Sequence, residues 1–233
     1  MMSYASSRHA RYQSLDFAQR LHDWLSPADL PRTADLIFVL AGRMNRKSYA
    51  LELFHQRLAS RILFSVARFE IRRFSNMALP TSFNLLKLAQ DVPPAARHFF
   101  VLFENDEVVL EHIRPRRFGT LTEISALARW LQERVHIRSL MIISSDTHLR
   151  RVRLCCRALL DPTLEVNFVA SPETGSTVEP RKSRSVSIAR DLLELSKLLL
   201  YGCVLKFTAH RFSEAKRRTL LSSESKPKDK IRH

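Results

Sequence analysis

Three short, predominantly apolar runs constrain this chain most: residues 35–40 (DLIFVL), 61–66 (RILFSV) and 139–144 (SLMIIS). A strand with one wet face alternates apolar and polar residues. Continuous runs of this length suit strands buried on both faces, as in a parallel sheet covered by helices on each side. Helical spacing lies between and after them. It is seen in 48–58 (Ala50, Leu51, Phe54, Leu58), in 120–135 (Leu121, Ile124, Leu127, Ala128, Leu131) and over 147–160. A less regular helix is expected at 82–90, ahead of Pro93-Pro94. Residues 98–103 and 108–113 read as a hairpin or two short strands, and 164–170 closes the series. The alternation predicts an α/β fold with a mostly parallel sheet, in which 35–40, 61–66 and 139–144 lie side by side and buried.

Composition removes several function classes. With 233 residues and 45% apolar side chains, the chain has material for one ordinary core. Its four glycines (Gly42, Gly119, Gly175, Gly202) exclude a G-x-G-x-x-G dinucleotide loop, and no G-x-x-x-x-G-K-[ST] loop occurs. Cys155, Cys156 and Cys203 form neither a disulfide framework nor a C-x-x-C zinc knuckle; the adjacent pair reads as small core residues. No His/Asp/Glu spacing singles out a metal site, so none is expected. Residues 1–30 hold no apolar run of signal-peptide length, and no stretch of 18 uncharged apolar residues occurs. The nearest, 192–207, carries Glu194, Lys197 and Lys206 and reads as an amphipathic or buried helix. A cytoplasmic protein is the expectation.

The net charge is +15, with 29 Arg and 9 Lys. Residues 176–233 hold 14 basic and 6 acidic side chains, so over half the excess lies in the last quarter. Expected organisation is an N-terminal helical extension (1–33), one α/β domain with a C-terminal helix (34–208), and a disordered basic tail (209–233). Residues 171–185, with Pro172, Gly175 and Pro180, read as a linker or loop.

In open parallel sheets, ligands bind where strand C-termini meet helix N-termini, whose free N–H groups favour anions. Three such junctions stand out. After the first strand, Gly42 permits a sharp turn, while Arg43 and Arg46 offer guanidinium forks. A turn glycine with solvated arginines is the plainer alternative. At 120–123, Thr120 and Glu123 match a capping box; alternatively Glu123 is a carboxylate at the top of the sheet. After the third run, Ser145 or Asp146 is a natural N-cap. His148 and Arg151 then share one face of the first turn, one to move a proton and the other to hold an anion, with Leu149 and Val152 toward the sheet.

Taken in order, these junctions resemble the ElyC/SanA/YdcF family of bacterial proteins. The resemblance is carried by DLIFVLAG, by Arg46 ahead of Ala50-Leu51-Glu52-Leu53, and by Ser65 at the end of the second strand. Thr120 with Glu123, and Ser144, Ser145, His148 and Arg151, complete it. It covers roughly residues 34–170 and implies a Rossmann-like three-layer sandwich. The chain reads as a divergent member. The glycine-rich first loop is reduced to Ala41-Gly42-Arg43, Val66-Ala67 replace a glycine pair, and Gly119 stands for an Asn. Altered specificity and lost chemistry both fit these departures.

The resemblance implies a small-molecule site at the C-terminal edge of the sheet, a ligand that is anionic or nucleotide-like such as S-adenosylmethionine, and a link to envelope biogenesis. Hydrolase or transferase chemistry would be an extension of that binding. In this reading Gly42, Arg43, Arg46, Ser65, Thr120, Ser144, Ser145 and Arg151 bind the ligand. His148 and Glu123 are acid/base candidates. A second class is a basic binding protein for nucleic acid or an anionic membrane surface, associated peripherally through the tail. A third is a scaffold using 192–207 as a partner helix.

Overall fold

The computed structural model describes residues 20–77, 85–104, 107–113, 119–172, 189 and 191–206. The basic tail over 209–233, residues 1–19 of the N-terminal extension and most of 171–185 lie outside them.

The fold is α/β, built on one six-stranded sheet. Its strands are β1 (Leu36–Val39), β2 (Arg61–Ala67), β3 (His98–Glu104), β4 (Glu107–His112), β5 (Ser139–Ser144) and β6 (Glu165–Ala170). Spatial order is β4-β3-β2-β1-β5-β6. The three continuous apolar runs form the centre: β1 pairs in parallel with β2 on one side and with β5 on the other. β6 extends the parallel part. Two pairs depart from it, because β3 is antiparallel to β2 and forms a hairpin with β4.

The helical segments are α1 (20–25), α2 (Met44–His55), α3 (Ile71–Ser75), α4 (Leu85–Gln90), α5 (Gly119–Gln132), α6 (Leu149–Leu159) and α7 (191–206). β1 shows why its sequence lacks alternation. Leu36 and Phe38 belong to one buried cluster with Leu127 and Trp130 of α5, Val152 and Cys155 of α6, and Tyr201 and Leu205 of α7. Ile37 and Val39 belong to another with Ala50 and Leu53 of α2, Phe74 of α3, and Leu85 and Ala89 of α4. Leu149, Val152, Cys155 and Cys156 are all buried core residues, and burial pushes the Cys155 thiol up to about 12.

Both sheet edges are managed. β4 is largely exposed but carries Glu107 and Glu111, which discourage further pairing. β6 is met by the chain ahead of β1: Asp29 donates its N–H to Phe168 O (2.7 Å), and its carboxylate accepts from Phe168 N (2.9 Å).

Two boundaries differ from the sequence reading. α2 begins at Met44, four residues before the expected start at 48, because the polar stretch Met44–Lys47 hides the first turn from any apolar periodicity. After β5, a single 3-10 turn (Asp146–His148) precedes the α-helix, which begins at Leu149.

Candidate functional site

Among the described residues, the C-terminal edge of β1, β2 and β5 gathers most of the buried polar groups. Beyond β1 the chain turns at Gly42, whose φ of +133° is one that side-chain-bearing residues rarely adopt. A Cβ there would also stand 2.8 Å from Arg46 Nη1. Arg43 follows in extended conformation as the N-cap of α2. No side-chain cap bond and no acidic residue serve that helix's first turn. One turn in, Arg46 folds back over the strand end. Its Nη1 donates to Ala41 O (2.7 Å) and its Nη2 to Ser145 Oγ (2.9 Å), tying the loop after β1 to the loop after β5. Arg46 Nε is buried without a hydrogen-bond partner among the described residues.

Lys47, the next residue, is fully buried and its Nζ lies 2.6 Å from Glu70 Oε2. The other oxygen of Glu70 accepts the N–H of Gly42. Burial pushes the Lys47 ammonium down and the Glu70 carboxyl up, while their mutual attraction opposes both shifts. Such a pair is costly to desolvate and contributes little net stability, so its presence at this edge is not explained by packing alone.

Glu123 reaches from the N-terminal part of α5 into the centre of the group. Its Oε1 accepts from Ala41 N (2.8 Å) and from Ser65 Oγ (2.5 Å). Burial raises its pKa against the opposing effects of Ser65, Ala41 N–H, Lys47 and Arg46. Since Ser65 spends its only proton on Glu123, it accepts from His98, whose Nε2 lies 2.8 Å away. That fixes His98 with its proton on Nε2. Burial lowers the His98 pKa to about 4, so its 3.9 Å approach to Glu123 is between a neutral ring and a carboxyl group. Ser65 is therefore not a nucleophile primed by a basic histidine: its proton points toward a carboxyl oxygen, not an imidazole.

A second group stands beside the first. His148 is bonded on both nitrogens by hydroxyls, Ser144 Oγ at Nδ1 (2.9 Å) and Thr120 Oγ1 at Nε2 (3.0 Å). Burial, with Arg151 and Arg46 adding to it, holds the ring well below the ordinary histidine range. It is a neutral imidazole joining β5 to α5. Thr120 and Glu123 thus serve neighbouring strands, not the start of their own helix, and the capping-box alternative gives way to these cross-element bonds. Of the two expected caps, Ser145 makes no cap bond, its hydroxyl taking the Arg46 bond instead, while Asp146 Oδ1 accepts from Thr147 N (2.6 Å).

The structure brings Gly42, Arg46, Ser65, Glu123 and Ser145 into one connected network, with Ser144, Thr120 and His148 adjoining. Arg43 is exposed at its rim. Arg151 turns partly away: its Nη2 pairs with Glu194 Oε2 of α7 (3.3 Å), and its guanidinium carbon lies 5.2 Å from the Tyr201 ring centre. Three participants were not read from the sequence. Lys47 fell in a stretch taken as loop, Glu70 is a single acid among arginines, and His98 reaches this edge only because β3 runs antiparallel, opposite Ala67.

The edge thus joins fixed cations, a neutral imidazole and a carboxyl group with a raised pKa, a set able to bind an anion and exchange protons with it. A hollow of about 780 Å³ opens at the opposite edge between the ends of α5 and α6. Val135, Ile137, Leu160 and Leu164 line it, and it lacks such a cluster of buried ionisable groups. Among the described residues, no group of three or more His, Cys, Asp or Glu converges as a metal site. Compared with protein-family models, curated proteins and solved structures, the chain matches none.

Proposed function

We propose that this chain is a divergent ElyC/SanA/YdcF-like protein, a Rossmann-like three-layer sandwich that binds an anionic, nucleotide-like small molecule at the C-terminal edge of its sheet. One observation carries the reading. The first turn of α2, uncapped by any side chain and without an acidic residue, meets exposed Arg43 and buried Arg46, whose Nε lacks a partner among the described residues. A positive dipole end and guanidinium forks suit a phosphate or carboxylate. Exposed Arg43 and the buried guanidinium of Arg46 would draw such a ligand toward the edge that holds Glu123 and His148. The resemblance adds S-adenosylmethionine as a ligand candidate, a bacterial source and a link to envelope biogenesis. Hydrolysis or group transfer would use Glu123 and His148 as its acid/base groups. Both are hydrogen-bonded to hydroxyls, Glu123 to Ser65 and His148 to Ser144 and Thr120.

The test is a ligand-induced melting shift over nucleotides, S-adenosylmethionine and sugar phosphates, on the parent and on Arg43→Gln. Arg43 is exposed, so this change spares the core. The expectation is a shift for at least one anion class, reduced in the variant by the equivalent of about tenfold in affinity. No shift with any ligand, or one equal in the variant, would place the function elsewhere.

A further inference from the structure

We infer that α7 presents a docking face for an anionic membrane surface. The helix already covers the core with Tyr201 and Leu205. Its opposite side carries Leu192 (50% exposed), Leu193 (54%), Leu199 (64%) and Leu200 (51%). With exposed Ser196, Cys203 and Lys206 these positions form one stripe at spacings of three and four. Both acidic residues of the helix face inward: Asp191 is buried beside His22 (3.4 Å), and Glu194 pairs with Arg151 and Lys197. The outward stripe therefore holds no negative charge.

Four neighbouring leucines in water are an unsatisfied apolar surface, and such patches mark interaction sites. Charge selects the occupant. The stripe ends at Lys206, and the sequence beyond carries Arg211, Lys216, Arg217, Arg218, Lys226, Lys228, Lys230 and Arg232 against Glu214, Glu224 and Asp229. A second copy would bring two chains of net charge +15 together. An anionic bilayer instead neutralises the basic stretch while its acyl boundary takes the leucines. Stable peripheral binding needs two such signals, and both are present here in adjoining sequence. Nucleic acid would satisfy the charge but leave the leucines wet. No helix among the described residues is long and apolar enough to cross a membrane, so the helix lies on the surface.

The experiment is co-sedimentation of the full chain with vesicles of mixed phosphatidylcholine and phosphatidylglycerol, and with vesicles of phosphatidylcholine alone. Its variants are Leu199→Ser/Leu200→Ser and, independently, Leu192→Ser/Leu193→Ser, each checked for an unchanged melting temperature. Binding to the mixed vesicles is expected, weakened by salt and absent without the anionic lipid. Each double variant should lower the partition about tenfold or more. If only one folds, that one decides. Partition unchanged in a folded variant, or equal on both vesicle types, would overturn the inference. So would concentration-dependent dimerisation, or binding to a DNA duplex, in the absence of vesicle binding.

Discussion

His98 shows how burial alone converts an ordinary side chain into a pH-dependent element. Its folded pKa of about 4 lies below the unfolded value of 6.5. The unfolded chain therefore binds the extra proton more readily. The stability this neutral ring contributes is present above pH 6.5 and lost as pH falls through 4. Integrated over that window, the loss amounts to about 3 kcal/mol as an upper bound. His148, depressed in the same direction, adds to it. Glu70 and Glu123 oppose it. Their raised pKa values make the folded state the better proton binder, so acidification toward the usual carboxyl range favours folding at those two sites. We predict that His98→Gln, which keeps a donor toward Ser65, flattens the decline of urea stability between pH 6.5 and about pH 4. An unchanged slope would mean that this ring titrates normally. None of this was legible in the sequence, where His98 is one histidine after an arginine. Its role depends on a β-strand direction that no local pattern encodes.

At the scale of elements, apolar runs were readable because burial on both faces leaves a direct mark on composition. β1, β2 and β5 are those runs, in parallel and side by side. α2 was harder. Its apolar positions Ala50, Leu51 and Phe54 are evident, but Met44-Asn45-Arg46-Lys47 at its start continue no apolar repeat, so the spacing places the helix start four residues late and leaves Lys47 outside it. β3 was legible as a strand but not in direction. The chain leaves β2 at its C-terminal edge, passes α3, α4 and the Pro94–Ala96 turn, and re-enters from that edge, which depends on packing along the intervening stretch. The far end of α2 supplies a local test. Arg57 follows the C-cap with φ of +60°, and its N–H bonds Phe54 O (2.9 Å). Side-chain-bearing residues pay about 1–2 kcal/mol there and glycine does not, although glycine gives back part through its freer unfolded chain. Arg57→Gly should raise stability by about 0.5–1 kcal/mol in urea denaturation; a loss of stability would argue against the left-handed cap.

For the molecule as a whole, polar and apolar features are segregated by end and by face. The buried ionisable groups collect at one edge of the sheet, while the N-terminal edge is stitched by ordinary structural bonds. There Asp35 Oδ2 accepts from Arg138 N and Ser139 N, both at 2.8 Å. Concentrating Arg46, Lys47, Glu70, Glu123, His98 and His148 in one region costs desolvation at every member. A fold seeking only stability would fill that space with apolar side chains. Anion binding at this edge is the central claim, and inorganic phosphate is its smallest probe. The most direct measurement is a crystal structure of the full chain grown in phosphate. The account predicts the anion at the first turn of α2, within hydrogen-bond distance of Arg46 and with Arg43 closing over it. Phosphate bound only at other sites, with Arg46 still held on Ala41 O and Ser145 Oγ and nothing at the helix start, would contradict it.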